Sequence, residues 1–198
     1  TGLDKLQVVL RESTADQVCP FRVTDPPGGQ LVFENGTTIA STQVFVCFPI
    51  PRGANGMFAL HDGSGNVLAE PRWQGISVIG YYQGSLIQYI QYGVGLPYSS
   101  TTPIRITSVT TTTITLSNGT TFNRANATGT NQTSRVLCAD VAQLESPNYT
   151  TGNVLPNTQP LRLKLTVLDR VRTSRINNGT GYVAAASFET GVLARNMN

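Results

Sequence analysis

The chain has 198 residues, of which 39% are hydrophobic and 13% are charged, and its net charge is +3. This length suits one large domain with a real core or two small ones, and the charged fraction is about half of the usual share. The basic residues are scattered along the sequence, which argues against a nucleic-acid-binding protein. No apolar run is long enough for a transmembrane helix, so we predict no membrane span.

The first dozen residues alternate between apolar and polar side chains. Leu6, Val8 and Leu10 recur at every second position, which predicts a β-strand with one strongly apolar face. A soft polar segment, residues 13–17, follows in place of a tight turn. A terminal strand of this kind can pair with its own domain or with another molecule. We therefore expect residues 1–15 to form an N-terminal extension, a candidate donor strand with its hinge, and residues 16–198 to form the domain.

Roughly ten to twelve short strands follow, separated by turn signals. The abundance of Thr, Ser and Asn favours strands over helices, because Thr is β-branched and Ser and Asn compete with the helical backbone. The predicted strands lie at residues 17–24, 30–34, 37–50, 57–70 (a hairpin), 76–94 (two strands), 104–122 (Thr-rich), 135–144, 161–168 and 181–195. This pattern predicts an all-β fold, either a single Ig-like β-sandwich with Greek-key connections or a barrel.

Three cysteines, Cys19, Cys47 and Cys138, do not fit a metal site, because none of them forms a C-x-x-C pair and the chain has a single histidine, His61. Zinc sites need such closely spaced Cys and His ligands. One disulfide and one spare thiol is the simplest arrangement for an exported chain. Cys19 and Cys47 both lie in predicted strands, so that pair is favoured over a pairing with Cys138, although sequence does not determine the connectivity.

Six asparagines stand in N-x-Thr sequons, the acceptor pattern for N-linked glycans. All six lie in predicted turns or loops, where a bulky sugar can be accommodated. Some of them are explained equally well as ordinary Asn-Gly turns without a sugar. The predicted glycosylation sites are Asn35, Asn118, Asn126, Asn131, Asn148 and Asn178.

The sequence carries none of the familiar catalytic or phosphate-binding motifs. A calcium-like spacing of Asp62, Ser64 and Asn66 fails because Trp73 stands where the loop needs its final Glu, so a plain turn is favoured. Paired carboxylates need no motif and leave a glycosidase as an alternative. We predict that the chain is not an enzyme and carries no cofactor besides N-linked glycans.

The segment 76–94 is the most apolar and aromatic part of the sequence. Its tyrosines, Tyr81, Tyr82, Tyr89 and Tyr92, suit either core packing or an aromatic platform for sugar rings. Core packing is favoured, because the segment alternates like two strands at the centre of a sheet.

The layout resembles pilin subunits joined by donor-strand exchange. The resemblance lies in an alternating N-terminal segment (residues 3–11), a soft hinge, a Cys-bearing strand at Cys19 and a partner strand at Cys47. Bacterial chaperone–usher pilins share this plan. The surface rich in Thr, Asn, Tyr and sequons is more similar to the glycosylated thread pilins of crenarchaeal cell surfaces, which resemble type 1 pilins in fold.

This resemblance implies a pilin-like sandwich that polymerises head-to-tail into an extracellular filament. Leu6, Val8 and Leu10 would insert into a groove of the next subunit, so the main partner is a further copy of the chain, with contacts to cell surfaces or glycans besides. The start at Thr1 in place of Met fits a mature exported chain and equally a trimmed one. The alternatives are a monomeric or capsid-like surface protein, such as a sugar-binding adhesin or a viral jelly-roll subunit, and an Ig-like adhesion module. In these the first strand simply belongs to its own sheet.

Overall fold

A computed structural model describes residues 2–13, 17–24, 42–58, 66–67, 72–97, 101–147, 161–172 and 180–192. Within these ranges the chain forms a short helix, α1 (Gly2–Arg11), and eleven strands. The strands are β1 (Cys19–Val23), β2 (Gln43–Ile50), β3 (Arg72–Tyr82), β4 (Ser85–Pro97), β5 (Ile106–Val109), β6 (Thr113–Leu116), β7 (Thr121–Asn123), β8 (Gln132–Cys138), β9 (Val141–Glu145), β10 (Leu161–Arg172) and β11 (Thr180–Val192). The all-β prediction is confirmed.

The strands form three antiparallel sheets. A central sheet has the strand order β1-β2-β3-β4-β8, an outer sheet has the order β11-β10-β9, and a small sheet has the order β5-β6-β7. The apolar segment predicted as two strands is the β3–β4 hairpin, and its two-residue loop has positive φ at both Gln83 and Gly84, as a type I′ turn requires. The strand predicted at 30–34 and most of the hairpin at 57–70 lie outside the described residues.

The central sheet buries both of its faces. One face packs with the outer sheet in a core that includes Val46, Phe48 and Leu144. The other face packs with the small sheet in a second core that includes Phe45 and Phe122. As a result β2 is buried at all of its positions instead of at every second one. The packing therefore has three layers, whereas the sequence predicts a single sandwich of two sheets. A strand that is covered on both faces needs apolar residues at every position, and β2 has this composition.

The strand predicted for residues 3–11 is wrong, since the segment is helical in the structure. Leu6 and Leu10 are four residues apart, a spacing that places them on one face of a helix and also on one face of a strand. Val8 distinguishes the two, and its side chain is 63% exposed, whereas Leu6 and Leu10 are 0% and 1% exposed. Asp4 in the first turn and Arg11 in the last favour the helix through its dipole.

The predicted strand at 135–144 is divided in two. β8 ends at Cys138 and β9 begins at Val141, with Asp140 between them in the left-handed region at φ 53°. The break transfers the chain from the central sheet to the outer sheet. It therefore places β9 beside the core that α1 also covers.

Candidate functional site

α1 lies on the side of the molecule where two sheets end. It contacts β8 and β11. Among the described strands, β8 is an edge strand of the central sheet and β11 is an edge strand of the outer sheet. Leu6 and Leu10 are buried in the core between these sheets, and Val9 is half-buried against it. The N-terminal segment thus completes a core that the strands alone leave open on this side.

Side chains hold α1 to the domain. Among the described residues, its backbone hydrogen bonds stay within the helix and its final turn, where the Ser13 amide donates to the Leu10 carbonyl over 3.2 Å. At the end of the segment the Arg52 Nε donates to Glu12 Oε1 in an exposed ion pair of 3.1 Å, a kind of contact that contributes little. Burial of the two leucines stabilises this arrangement by about 3–6 kcal/mol.

The helix itself is intrinsically weak. It has 10 residues, and isolated helices shorter than about 12 residues are marginal in water. Gly2 adds backbone entropy, and the β-branched Val8 and Val9 lower helix propensity. The helix therefore depends on the packing of Leu6 and Leu10, and the same residues satisfy the alternation of a strand.

Strand β8 pairs with β4 along one edge, with Val136 opposite Ile87. Among the described residues no further strand pairs with its other edge. Leu137 is buried in the same core as Leu6 and Leu10, while Val136 is 56% exposed. An edge strand of this kind presents unpaired backbone groups to a further strand.

The edge of β9 is covered in a different way. The buried side-chain amide of Gln43 donates to the Ala142 carbonyl over 3.0 Å and accepts from the Leu144 amide over 2.9 Å. Gln143 returns a bond of 2.9 Å to the Thr42 carbonyl. The Gln43 amide thus takes the place of a neighbouring peptide group on β9, which satisfies backbone groups that a buried edge would otherwise leave unpaired.

The structure brings two of the three predicted disulfide candidates together. Cys19 on β1 is directly opposite Cys47 on β2, and both are buried and not joined by a disulfide in this structure. Opposite residues of an antiparallel pair have Cα atoms about 4.5–5.5 Å apart, within the range that a disulfide spans. Burial, and secondarily the neighbouring Cys19, raises the pKa of Cys47. Cys138 lies at the other edge of the central sheet, so it cannot bridge to either.

Three of the six sequons fall among the described residues. Asn118, Asn126 and Asn131 are all exposed, as a glycan requires. Asn118 Oδ1 accepts a hydrogen bond of 3.1 Å from the amide of Thr120, so this sequon is folded as an Asx-turn. Asn35, Asn148 and Asn178 lie outside the described residues.

A buried arginine connects the small sheet to the central sheet. Arg124 is 1% exposed, and its guanidinium donates to the carbonyls of Tyr81 and Thr110. It lies over the rings of Phe45 and Tyr82, at 5.6 and 5.1 Å from their centroids. Burial lowers its pKa. Sequence reasoning missed this residue, because it follows β7 in a stretch predicted as loop, and the carbonyls and rings named here are distant from it in sequence.

The tyrosines do not form one platform. Tyr81 belongs to the core under the outer sheet and Tyr89 to the core under the small sheet, so they face opposite sides of the central sheet. Tyr89 donates to the Arg124 carbonyl over 2.8 Å. Their contacts fit core packing, the favoured prediction.

A cleft of about 330 Å³ lies between the start of β2 and strands β9 and β10, lined in part by Arg22, Glu145 and Lys164. Among the described residues of its lining, Glu145 is the only carboxylate, and it pairs with Lys164 over 3.3 Å. Glycoside hydrolysis generally uses two carboxylates, and the described lining of this cleft supplies one.

Within the described ranges, no three His, Cys, Asp or Glu side chains are grouped so as to hold a metal ion. His61 lies outside those ranges. None of the described helices is long and apolar enough to cross a membrane. No protein-family model, curated protein or solved structure matches the chain.

Proposed function

We propose that this chain is the structural subunit of an extracellular, N-glycosylated filament. Each subunit would donate its N-terminal segment to the next one, head to tail. The observation that carries this proposal is the position of α1. The N-terminal segment supplies two side chains of the domain core, Leu6 and Leu10, at a place where both flanking sheets end.

Exchange is favourable because the same segment gains contacts as an inserted strand. In a strand, Val8 shares a face with Leu6 and Leu10 and becomes buried, which contributes about 1.5 kcal/mol or more. Each backbone hydrogen bond to a sheet edge adds about 1 kcal/mol. The helix makes neither contribution, since Val8 is exposed and the described backbone bonds of α1 are local.

The cysteine pair and the sequons support an exported subunit. A bond between Cys19 and Cys47 would brace β1 to β2 at a position where the two residues are already opposite. Disulfides and N-linked glycans are both features of extracellular proteins. Intact-mass measurement before and after reduction and enzymatic deglycosylation tests both features.

Electron microscopy and gel filtration of the full chain and of residues 14–198 test the filament. We expect filaments from the full chain only. A synthetic peptide of residues 1–13 should bind the truncated chain and give a stable, non-polymerising complex, because it fills the core position of Leu6 and Leu10. This peptide experiment also covers the case in which truncation weakens folding.

Two peptides serve as matched controls. A peptide with Leu6→Ser and Leu10→Ser should not bind, whereas one with Gln7→Ser and Val9→Ser should bind, since those residues face away in a strand. A full chain that stays monomeric at every concentration tested would overturn the proposal. So would a truncated chain that polymerises as readily as the full one.

A further inference from the structure

We infer that α1 is a self-plug, a helical form of the N-terminal segment that covers the acceptor side of its own subunit until a neighbour's segment replaces it as a strand. This inference rests on the proposed function and adds the control of assembly. The acceptor surface is the edge of β8 with which no other described strand pairs, together with the core position that Leu6 and Leu10 fill. Its occupant in the filament is the N-terminal segment of a second copy of this chain.

The segment carries two overlapping periodicities. Leu6 and Leu10 face the core in the helix and would also do so in a strand, so they serve both states. Val8 is 63% exposed in the helix but lies on the inserted face of a strand. Val9 has the opposite behaviour, since it is half-buried in the helix and faces outward in a strand.

The contacts of α1 match those of a removable cover. The helix contacts β8, whose last residues, Leu137 and Cys138, belong to or pack against the same core as Leu6 and Leu10. Its C-terminal end lies close to Arg52, just beyond β2. The helix thus extends between two ends of the central sheet and contacts the edge strand β8 by packing. A strand in this position would pair with the edge instead.

A helix built only for stability would not use this sequence. Val8 is exposed, where Ala or a long polar residue favours a helix more strongly. At this position Val raises the propensity for a strand. The choice of Val at an exposed helical site fits a segment that must also be stable as a strand.

Two single substitutions test the inference. Val8→Ala strengthens the helix and removes one inserted side chain from the strand, so we expect assembly to slow by about tenfold or more. Val9→Ala is the matched control, with the same chemical change at the neighbouring residue, and should assemble within about threefold of the wild-type rate. Assembly is followed by light scattering at equal protein concentration. Thermal melts of each monomer check that both variants fold.

Hydrogen exchange gives a second measurement on the wild-type chain. Residues 2–13 and β8 should exchange faster in the monomer than in the filament, because both gain ladder hydrogen bonds on assembly. If the wild-type chain never assembles, the proposed function fails. If it assembles but Val8→Ala and Val9→Ala slow it equally, or β8 gains no protection, the filament stands and the self-plug is wrong.

Discussion

Replacing Arg124 with Met tests whether a buried cation holds two sheets of this fold together. Arg124 lies between the small sheet and the central sheet, and its guanidinium donates to carbonyls of both Tyr81 and Thr110. Met fills most of the same volume and removes the charge. The variant therefore isolates the polar contacts from simple packing.

The expected loss follows from opposing contributions. Hydrogen bonds from a charged donor contribute about 1.5–3 kcal/mol each, and cation–π contacts with Phe45 and Tyr82 add about 0.5–1 kcal/mol each. Against this, Met avoids the cost of burying a charge, which is several kcal/mol. We expect the free energy of unfolding to fall by about 2–3 kcal/mol. The melting temperature should fall by about 5–10 °C for a chain of this size.

Urea denaturation at pH 7 measures the effect, with the denaturant slope checked for equality between variants. Arg72→Met, at the exposed start of β3, is the control and should change stability by less than about 0.5 kcal/mol. Arg124→Lys should lose at least as much as Met, because a single ammonium lacks the planar fork that reaches two carbonyls. An Arg124→Met variant as stable as the wild type would refute the reasoning, since it would mean that burial of the charge costs as much as its contacts return.

Two further predictions concern the same region. Gly80→Ala should destabilise the fold by about 1–3 kcal/mol in thermal unfolding, because an added Cβ would overlap the Phe45 ring. Gly53→Ala, in a surface turn, is the control. Equal losses of stability in the two variants would contradict the prediction. Burial raises the pKa of Tyr89 above its ordinary value of 10.0. The folded protein therefore favours the neutral phenol, and the stability that Tyr89 contributes is complete below pH 10 and is lost as the pH rises above 10. Wild-type stability above pH 10 should therefore fall more steeply than that of Tyr89→Phe, by about 1.4 kcal/mol per pH unit; parallel curves in alkaline urea titrations would exclude this role.

The alternation of polar and apolar residues predicted the strands of this chain better than it predicted their packing. The β3–β4 hairpin follows directly from that alternation and from its Gly84 turn. In β2 the apolar residues are nearly continuous, from Val44 to Ile50. Such a run is typical of a sheet covered on both faces, so the third layer has a signal in the sequence, although it does not identify the small sheet as the covering partner.

The remaining features depend on contacts that no local pattern contains. A spacing of four between Leu6 and Leu10 fits a helix and a strand equally, and the packing against β8 and β11 decides between them. Arg124 takes its role from Tyr81 and Phe45, which belong to other strands. Cys19 and Cys47 are opposite each other because of the register in which β1 pairs with β2. The sequence indicated only that both cysteines lie in strands.

The different surroundings of β8 and β9 would give the proposed subunit a direction. The edge of β9 is closed by Gln43, a residue fixed within the domain, whereas β8 contacts the N-terminal helix α1. In the proposed assembly each subunit then has one donor end and one acceptor end, which are different surfaces. Contacts between unlike surfaces produce open polymers whenever their rotation does not close a ring. Such a filament is polar, with an exposed acceptor at one end and an unused donor segment at the other.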